Sequence, residues 1–277
     1  MEIDTPIPFV KMHGSGNDFI VIQLPHPAME GVDLPEFTRR LCRKGTGLGA
    51  DGVILISPSD AADFHWRYIN ADGSDGDMCG NGAMVGARFA VEYGIAEQQC
   101  SFDTAAGVVR AEVDGANVSL QMVDAQFLGE ALLFDALPDV KFGHYMIGVP
   151  HVVGFVDDAD AIDNLDAIGR AIRNDQQLHP DGANVNLIHR IDDHTIRMRT
   201  YERGVEAETL ACGTGAVCSA IAANRHGLVQ QPVTVRVSSG MDLTVTWQHN
   251  GTTFTDIRLS GIARIVAQGE ILTEAVL

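Results

Sequence analysis

Two kinds of hydrophobic patterning alternate along the chain. Short runs rich in β-branched and aromatic residues, FHWRYIN (64–70) and TIRMRTYE (195–202), read as strands, and VVRAEV, VTVRVSS and DLTVTW follow in the same style. Two longer segments, GAMVGARFAVEYG ending at Gly94 and GAVCSAIAANRHG ending at Gly227, set small and apolar residues at helical spacing. Each stops on a glycine, which suits the left-handed residue that follows a helix. Each half of the chain therefore reads as several strands, one central helix, then more strands.

The halves also share wording. DMCGNGA (77–83) is echoed by LACGTGA (210–216), with Cys79 and Cys212 lying 133 residues apart. At that offset Tyr68 falls on Tyr201, Asn70 on Arg203, Gly94 on Gly227 and Gly107 on Gly240, and GADGVILI (49–56) falls on GANVNLIH (182–189) without a gap. An offset of 132 lays Gly16-Asn17-Asp18-Phe19 on Gly148-Val149-Pro150-His151. Recurrent glycines at fixed spacing imply the same turns made twice. The expected fold class is α+β: two pseudosymmetric domains of one design, each a strand-rich layer wrapped around a central helix. The expected boundaries are residues 1–124 and 125–263, with ARIVAQGEI and the rest of 264–277 a candidate strand returning to the first domain.

Composition narrows the function classes. The 277 residues carry a net charge of −18, which opposes binding to nucleic acid or an anionic membrane. No apolar run reaches membrane-spanning length, and MEIDTPIPFVKMHG lacks a basic-then-apolar leader, so a cytoplasmic protein is expected. Five cysteines without a C-x-x-C spacing read as reduced thiols rather than as disulfides or a zinc site. Neither a phosphate loop nor a dinucleotide fingerprint in a strand-to-helix context is present.

The chemistry concentrates at the echo. Cys79 and Cys212 each stand immediately before a helix, where unsatisfied N–H groups and the positive dipole end favour thiolate. The N–H groups that follow, of Gly80 and Asn81 or of Gly213 and Thr214, can hold a carboxylate. If the two helix starts face one another, one thiolate can remove a proton from an α-carbon while the other thiol returns one on the opposite face. Cys42, Cys100 and Cys218 lack this context and read as small buried hydrophobes. His13, His26, His144 and His226 read as structural or exposed.

KMHGSGNDFIVI, GADGVI, NADGSDGDMCGNGA and YERGVEAETLACGTGA, in this order and over nearly the whole chain, resemble the signature segments of the diaminopimelate epimerase family. The resemblance implies an active-site cleft between two pseudosymmetric domains. It implies conversion of LL- to meso-diaminopimelate in lysine and peptidoglycan biosynthesis, with no pyridoxal phosphate or other cofactor. It makes Cys79 and Cys212 the catalytic pair and His151 and Glu202 their polar helpers. Gly80, Asn81, Gly213 and Thr214 then bind the reacting carboxylate, and Asn17, Asn70, Asn184, Glu202 and Arg203 hold the rest of the substrate, with Arg203 on the distal carboxylate. The only partner implied is a small amino acid, with no metal; a homodimer is allowed.

Two positions depart from the family pattern. Val149 stands where many members have asparagine, and Gly52 follows Asp51 where some have glutamine. Both thin the distal end that selects the substrate. A two-cysteine racemase of another amino acid therefore stays open, as does a thiol-redox or amino acid binding protein. One extra residue between Arg203 and Cys212, relative to some members, keeps the repeat gapless.

Overall fold

The computed structural model describes residues 5–76, 78–178 and 180–277; Asp77 of the DMCGNGA segment lies outside them. The chain forms two compact units, residues up to 120 together with 261–277, and residues 121–260.

In the first unit β1 (Ile7–Gly14) pairs antiparallel with β2 (Asn17–Gln23) and also with residues 263–271 of the last strand. Between β2 and β3 (Gly52–Ser57), which run parallel, lies helix α1 (Leu34–Leu41). β4 (Phe64–Asn70) is antiparallel to β3 and to the short β5 (Asp75–Gly76). Helix α2 (Gly80–Glu92) leads to β6 (Gln99–Thr104), parallel to β4, and to its antiparallel neighbour β7 (Gly107–Asp114). β8 (Asn117–Gln121) follows.

The second unit repeats this plan strand for strand. After β9 (Ala125–Phe134), β10 (Leu137–Ile147) is antiparallel to β11 (Val149–Phe155). Helix α3 (Leu165–Arg173) connects β11 to its parallel neighbour β12 (Asn184–Arg190), and β13 (Thr195–Glu202) is antiparallel to β12. β14 (Ala207–Thr209), helix α4 (Gly213–Arg225), β15 (Val233–Arg236), β16 (Asp242–Asn250) and β17 (Thr253–Ile271) complete the chain. β15 is parallel to β13, as β6 is to β4.

The strand registers correct the gapless alignment. Phe19 pairs with Gly52 in the first unit, and His151 pairs with Asn184 in the second. The order of buried and half-buried residues along β4 recurs along β13 when Phe64 is laid on Ile196. The offset is thus 132 through these strands, although it is 133 at Gly49 and again from Cys79 onward. Two one-residue steps cancel, one beside Asp51 and one between Glu202 and Cys212. Tyr68 consequently corresponds to Thr200 and Asn70 to Glu202, not to Tyr201 and Arg203. The physical reason is that a one-residue slip moves a side chain to the other face of a sheet. Tyr201 shares a core with Leu165 and Ile172 of α3, as Ile69 does with Phe37 and Leu41 of α1. Tyr68 packs on the other face, against Phe19 and Trp66.

Each unit also has a second helix that the periodicity reading passed over. The side chain of Asp33 accepts from Glu36 N at 3.1 Å and caps α1, with Pro35 in its first turn. Asn164 caps α3 in the same way. These helices cover one face of each sheet, while α2 and α4 lie on the other. Both central helices end as their glycines suggest: Gly94 and Gly227 have φ of 68° and 69°, and Ile95 N and Leu228 N bond back to Ala90 O and Ala223 O.

Candidate active site

Cys79 is the N-cap of α2 and Cys212 the N-cap of α4, each in an extended conformation. The first intrahelical bonds run from Ala83 N to Cys79 O and from Ala216 N to Cys212 O. Gly80 and Asn81, and Gly213 and Thr214, therefore belong to first turns whose N–H groups have no carbonyl four residues back. The sulfur of Cys79 accepts from Gly82 N at 3.5 Å.

Small residues set the position of the α2 start. A Cβ at Gly86 would lie 2.5 Å from the Trp66 ring, and one at Gly14 would lie 2.7 Å from Asn81 O. Trp66 Nε1 donates to Gly82 O at 3.2 Å. A chain of amides continues from here: Asn81 Nδ2 donates to Asn17 Oδ1 at 2.6 Å, and Asn17 Nδ2 donates to Asp51 Oδ2 at 3.3 Å. Asn70 Nδ2 donates to Ser74 Oγ at 3.0 Å. The first unit thus carries Asn17, Asn70, Cys79, Gly80 and Asn81.

The second unit gathers the remaining expected residues, His151, Asn184, Glu202, Arg203, Cys212, Gly213 and Thr214. The Glu202 carboxyl is hydrogen-bonded to the Cys212 thiol and accepts from Thr209 Oγ1 at 2.9 Å. Burial pushes this carboxyl above its ordinary value, although both hydrogen bonds pull the other way. Thr214 Oγ1 lies 3.6 Å from Cys212 Sγ and 3.0 Å from His151 Nε2. His151 is fully buried, and desolvation, reinforced by the Arg203 and His144 charges, pushes it down to about 3, so the ring is neutral. Asn184 Oδ1 accepts from Arg203 N at 2.7 Å, and Arg203 Nη1 donates to Asp181 O at 3.2 Å.

His151 and Glu202, the two expected polar helpers, thus stand in the unit that carries Cys212. Asn186, Thr200 and Thr209 were missed by sequence reasoning although they complete this cluster. The signal for Asn186 and Thr200 was a polar residue at buried positions of β12 and β13; Thr209 is half-buried on β14. The remaining thiols sit in apolar surroundings: burial raises Cys42 to about 12, Cys100 to about 11 and Cys218 well above its ordinary value. They stay protonated at neutral pH.

Gly52 does not leave a gap. A Cβ there would lie 2.4 Å from the Tyr68 ring and 2.5 Å from Ile69 O, so Tyr68 fills the space a side chain at 52 would take. Among the described residues, no group of three or more His, Cys, Asp or Glu is placed to hold a metal, and no helix is long and apolar enough to cross a membrane.

The architecture defines the class first. A hydroxyproline epimerase from Agrobacterium vitis, solved with trans-4-hydroxy-L-proline, has the same fold, with a TM-score of 0.70 at 18% identity over 98% of this chain and 94% of that one. The sequence is more specific. The diaminopimelate epimerase family model matches residues 9–128 and 144–264, two segments that each contain one of the helix-capping cysteines. The diaminopimelate epimerase of Aquifex aeolicus is 41% identical over 277 aligned residues, covering 96% of this chain and 98% of that protein. That of Archaeoglobus fulgidus is 41% identical over 255, covering 85% and 88%. The chain belongs to the diaminopimelate epimerase family.

Proposed function

We propose that this protein interconverts LL- and meso-diaminopimelate in the cytoplasm without a cofactor, with Cys79 and Cys212 exchanging the α-proton from opposite faces. The observation that carries the reading is the Glu202–Cys212 hydrogen bond at a helix N-terminus, in a chain whose duplicate helix is capped by Cys79.

The steps follow from these groups. Glu202, when ionised, takes the Cys212 proton, and the helix start and the Thr214 hydroxyl favour the thiolate left behind. Cys212 thiolate then removes the α-proton, and Cys79 delivers its thiol proton to the other face. The Cys79 thiolate so formed is held by Gly82 N–H. In the reverse direction the roles exchange. Negative charge develops on the substrate carboxylate during this step, and the first-turn N–H groups of Gly80, Asn81, Gly213 and Thr214 are the donors suited to it. Asn17, Asn70, Asn184 and Arg203 hold the rest of the substrate; a guanidinium fork suits the distal carboxylate.

The test is α-proton exchange and epimerisation of LL-diaminopimelate in deuterated water, with wild type, Cys79→Ser and Cys212→Ser. Wild-type exchange that both single variants lose while staying folded supports the reading; wild-type turnover in both variants refutes it. Val149, at the position of Asn17 in the duplicate, favours one second reading, a racemase of another amino acid. Exchange with such an amino acid and none with diaminopimelate would select it.

A further inference from the structure

The reacting carbon of an amino acid carries an ammonium as well as a carboxylate. The first-turn N–H groups of α2 and α4 are donors, which suit the carboxylate, whereas an ammonium needs acceptors. In the first unit Trp66, Tyr68 and Asn70 alternate onto one face of β4. That is the face on which α2 lies, because Trp66 Nε1 donates to Gly82 O and the Trp66 ring lies against Gly86. Tyr68 is the next side chain along this face, and 8% of it is exposed. Its ring meets Phe19 edge to face at a centroid distance of 5.6 Å. Two glycines make the slot that holds it. A Cβ on Gly76 would lie 2.4 Å from Tyr68 Cδ1, and one on Gly52 would lie 2.4 Å from Cε2, on the opposite edge of the ring.

The slot decides where the hydroxyl goes. Tyr68 Oη donates to Asp51 O at 3.3 Å. The same carbonyl accepts from Ala71 N at 3.0 Å, and the Asp51 carboxylate accepts from Asn17 Nδ2 at 3.3 Å and Asp18 N at 3.0 Å. With its hydrogen given to a carbonyl, the phenol oxygen keeps its lone pairs, and among the described residues no donor reaches it. Burial, followed by the charges of Cys79 and Asp51, pushes the ionisation of this phenol up, so it is neutral. An uncharged acceptor therefore stands beside the residue that orients Asn17 and within the field of Cys79. The duplicate makes the opposite choice. The pairing of Phe19 with Gly52 matches that of His151 with Asn184, so Asn184 occupies the position of Gly52, and the small Thr200 occupies that of Tyr68. The second unit brings its polar group from β12; the first has no side chain at the equivalent point of β3 and brings a phenol from β4.

We infer that Tyr68 is a substrate-contacting residue whose phenol oxygen accepts a hydrogen bond from the ammonium on the reacting carbon, in the place that a side chain at position 52 would otherwise fill. The inference rests on the proposed function in taking an amino acid as substrate, and it holds for any amino acid, because the ammonium is common to all of them.

The experiment is steady-state epimerisation of LL-diaminopimelate, with thermal unfolding of the same proteins. Tyr68→Phe keeps the ring in its slot and removes the oxygen alone. Its KM should rise roughly tenfold or more, the effect of one lost hydrogen bond to a charged group, with kcat less affected because the bond is made in ground and transition states alike. Its Tm should stay near wild type, since Asp51 O keeps the Ala71 N–H; a purely structural role would move Tm and leave KM. Gly52→Gln alone should destabilise the protein, because its Cβ meets the Tyr68 ring. Tyr68→Thr, the residue of the duplicate, opens the slot, and Gly52→Gln added to it offers an amide oxygen there. The double variant should recover a KM within several-fold of wild type, while Tyr68→Thr alone stays high. A wild-type KM in Tyr68→Phe, or a double variant no better than Tyr68→Thr, would overturn the inference. Wild-type protein inert toward diaminopimelate but active on another amino acid would instead overturn the proposed function, and the KM of that amino acid in Tyr68→Phe then decides the inference by the same criterion. Wild-type protein that exchanges the α-proton of no amino acid would overturn both.

Discussion

Replacing Glu202 by glutamine separates catalysis from stability. Glutamine keeps the length and an oxygen to accept from Thr209 Oγ1, now 2.9 Å from the carboxylate, but cannot accept the Cys212 proton. A positioned base contributes roughly 10²- to 10⁴-fold, or about 3–5 kcal/mol of barrier. We expect kcat/KM to fall by that factor, and equally for LL- and meso-diaminopimelate, because a catalyst cannot alter the equilibrium between them. Stability should move the other way. Burial raises the folded-state pKa of Glu202, so the native state prefers the protonated carboxyl. The stability this group contributes is fully present below the unfolded-state pKa and is lost as pH rises through the folded value. Glutamine mimics the protonated form. The Tm of Glu202→Gln should therefore equal or exceed wild type, by more at pH 8 than at pH 4. The wild-type acid limb of kcat/KM, from protonation of a carboxylate titrating above its usual range, should vanish in the variant. Coupled-assay kinetics in both directions and calorimetry at the two pH values are the measurements. A variant within threefold of wild-type kcat/KM would refute the role of Glu202.

Three further outcomes are expected. Gly86→Ala sets a Cβ 2.5 Å from the Trp66 ring and should cost about 1–3 kcal/mol in denaturant unfolding, since the core is already full there. Arg203→Lys should raise KM for diaminopimelate by roughly tenfold or more with kcat less affected, through loss of one charge-assisted bond to the distal carboxylate; an unchanged KM removes Arg203 from the site. Val149→Asn restores the amide present at Asn17 and should increase kcat/KM for diaminopimelate several-fold, about one hydrogen bond's worth; a decrease would mean the valine is fitted to a different substrate.

Much of the framework was legible in the chain. The strands at 64–70 and 195–202 and both central helices could be placed because their apolar period is long and their ends carry punctuating residues. The candidate pair of thiols was legible because the repeat sets both at helix starts. The short helices α1 and α3 were not, although Asp33-x-Pro35 and Asn164 are capping signals, because eight or nine residues give too few turns for periodicity to stand out. The strand register was misjudged for a sharper reason. Two tyrosines, 68 and 201, matched in letters but point to opposite faces of their sheets. Identity outweighed the buried–exposed alternation that distinguishes those faces, and Asn186 and Thr200, buried polar residues of β12 and β13, stayed hidden beneath the false match.

With the register corrected, the differences between the halves become interpretable. What both units share, the cysteine N-cap, the glycines beside Trp66 or Asn186 and the left-handed glycine stop, is what a helix start needs in order to present N–H groups and a sulfur. What they do not share lies beneath that start. Cys79 receives a main-chain donor, Gly82 N, over an aromatic and aliphatic core. Cys212 is met by two side chains, Glu202 and Thr214, and the latter is tied to a buried imidazole. Main-chain donors do not titrate, whereas the carboxyl of Glu202 does. The Cys212 thiol is therefore tuned in part by a group that itself titrates.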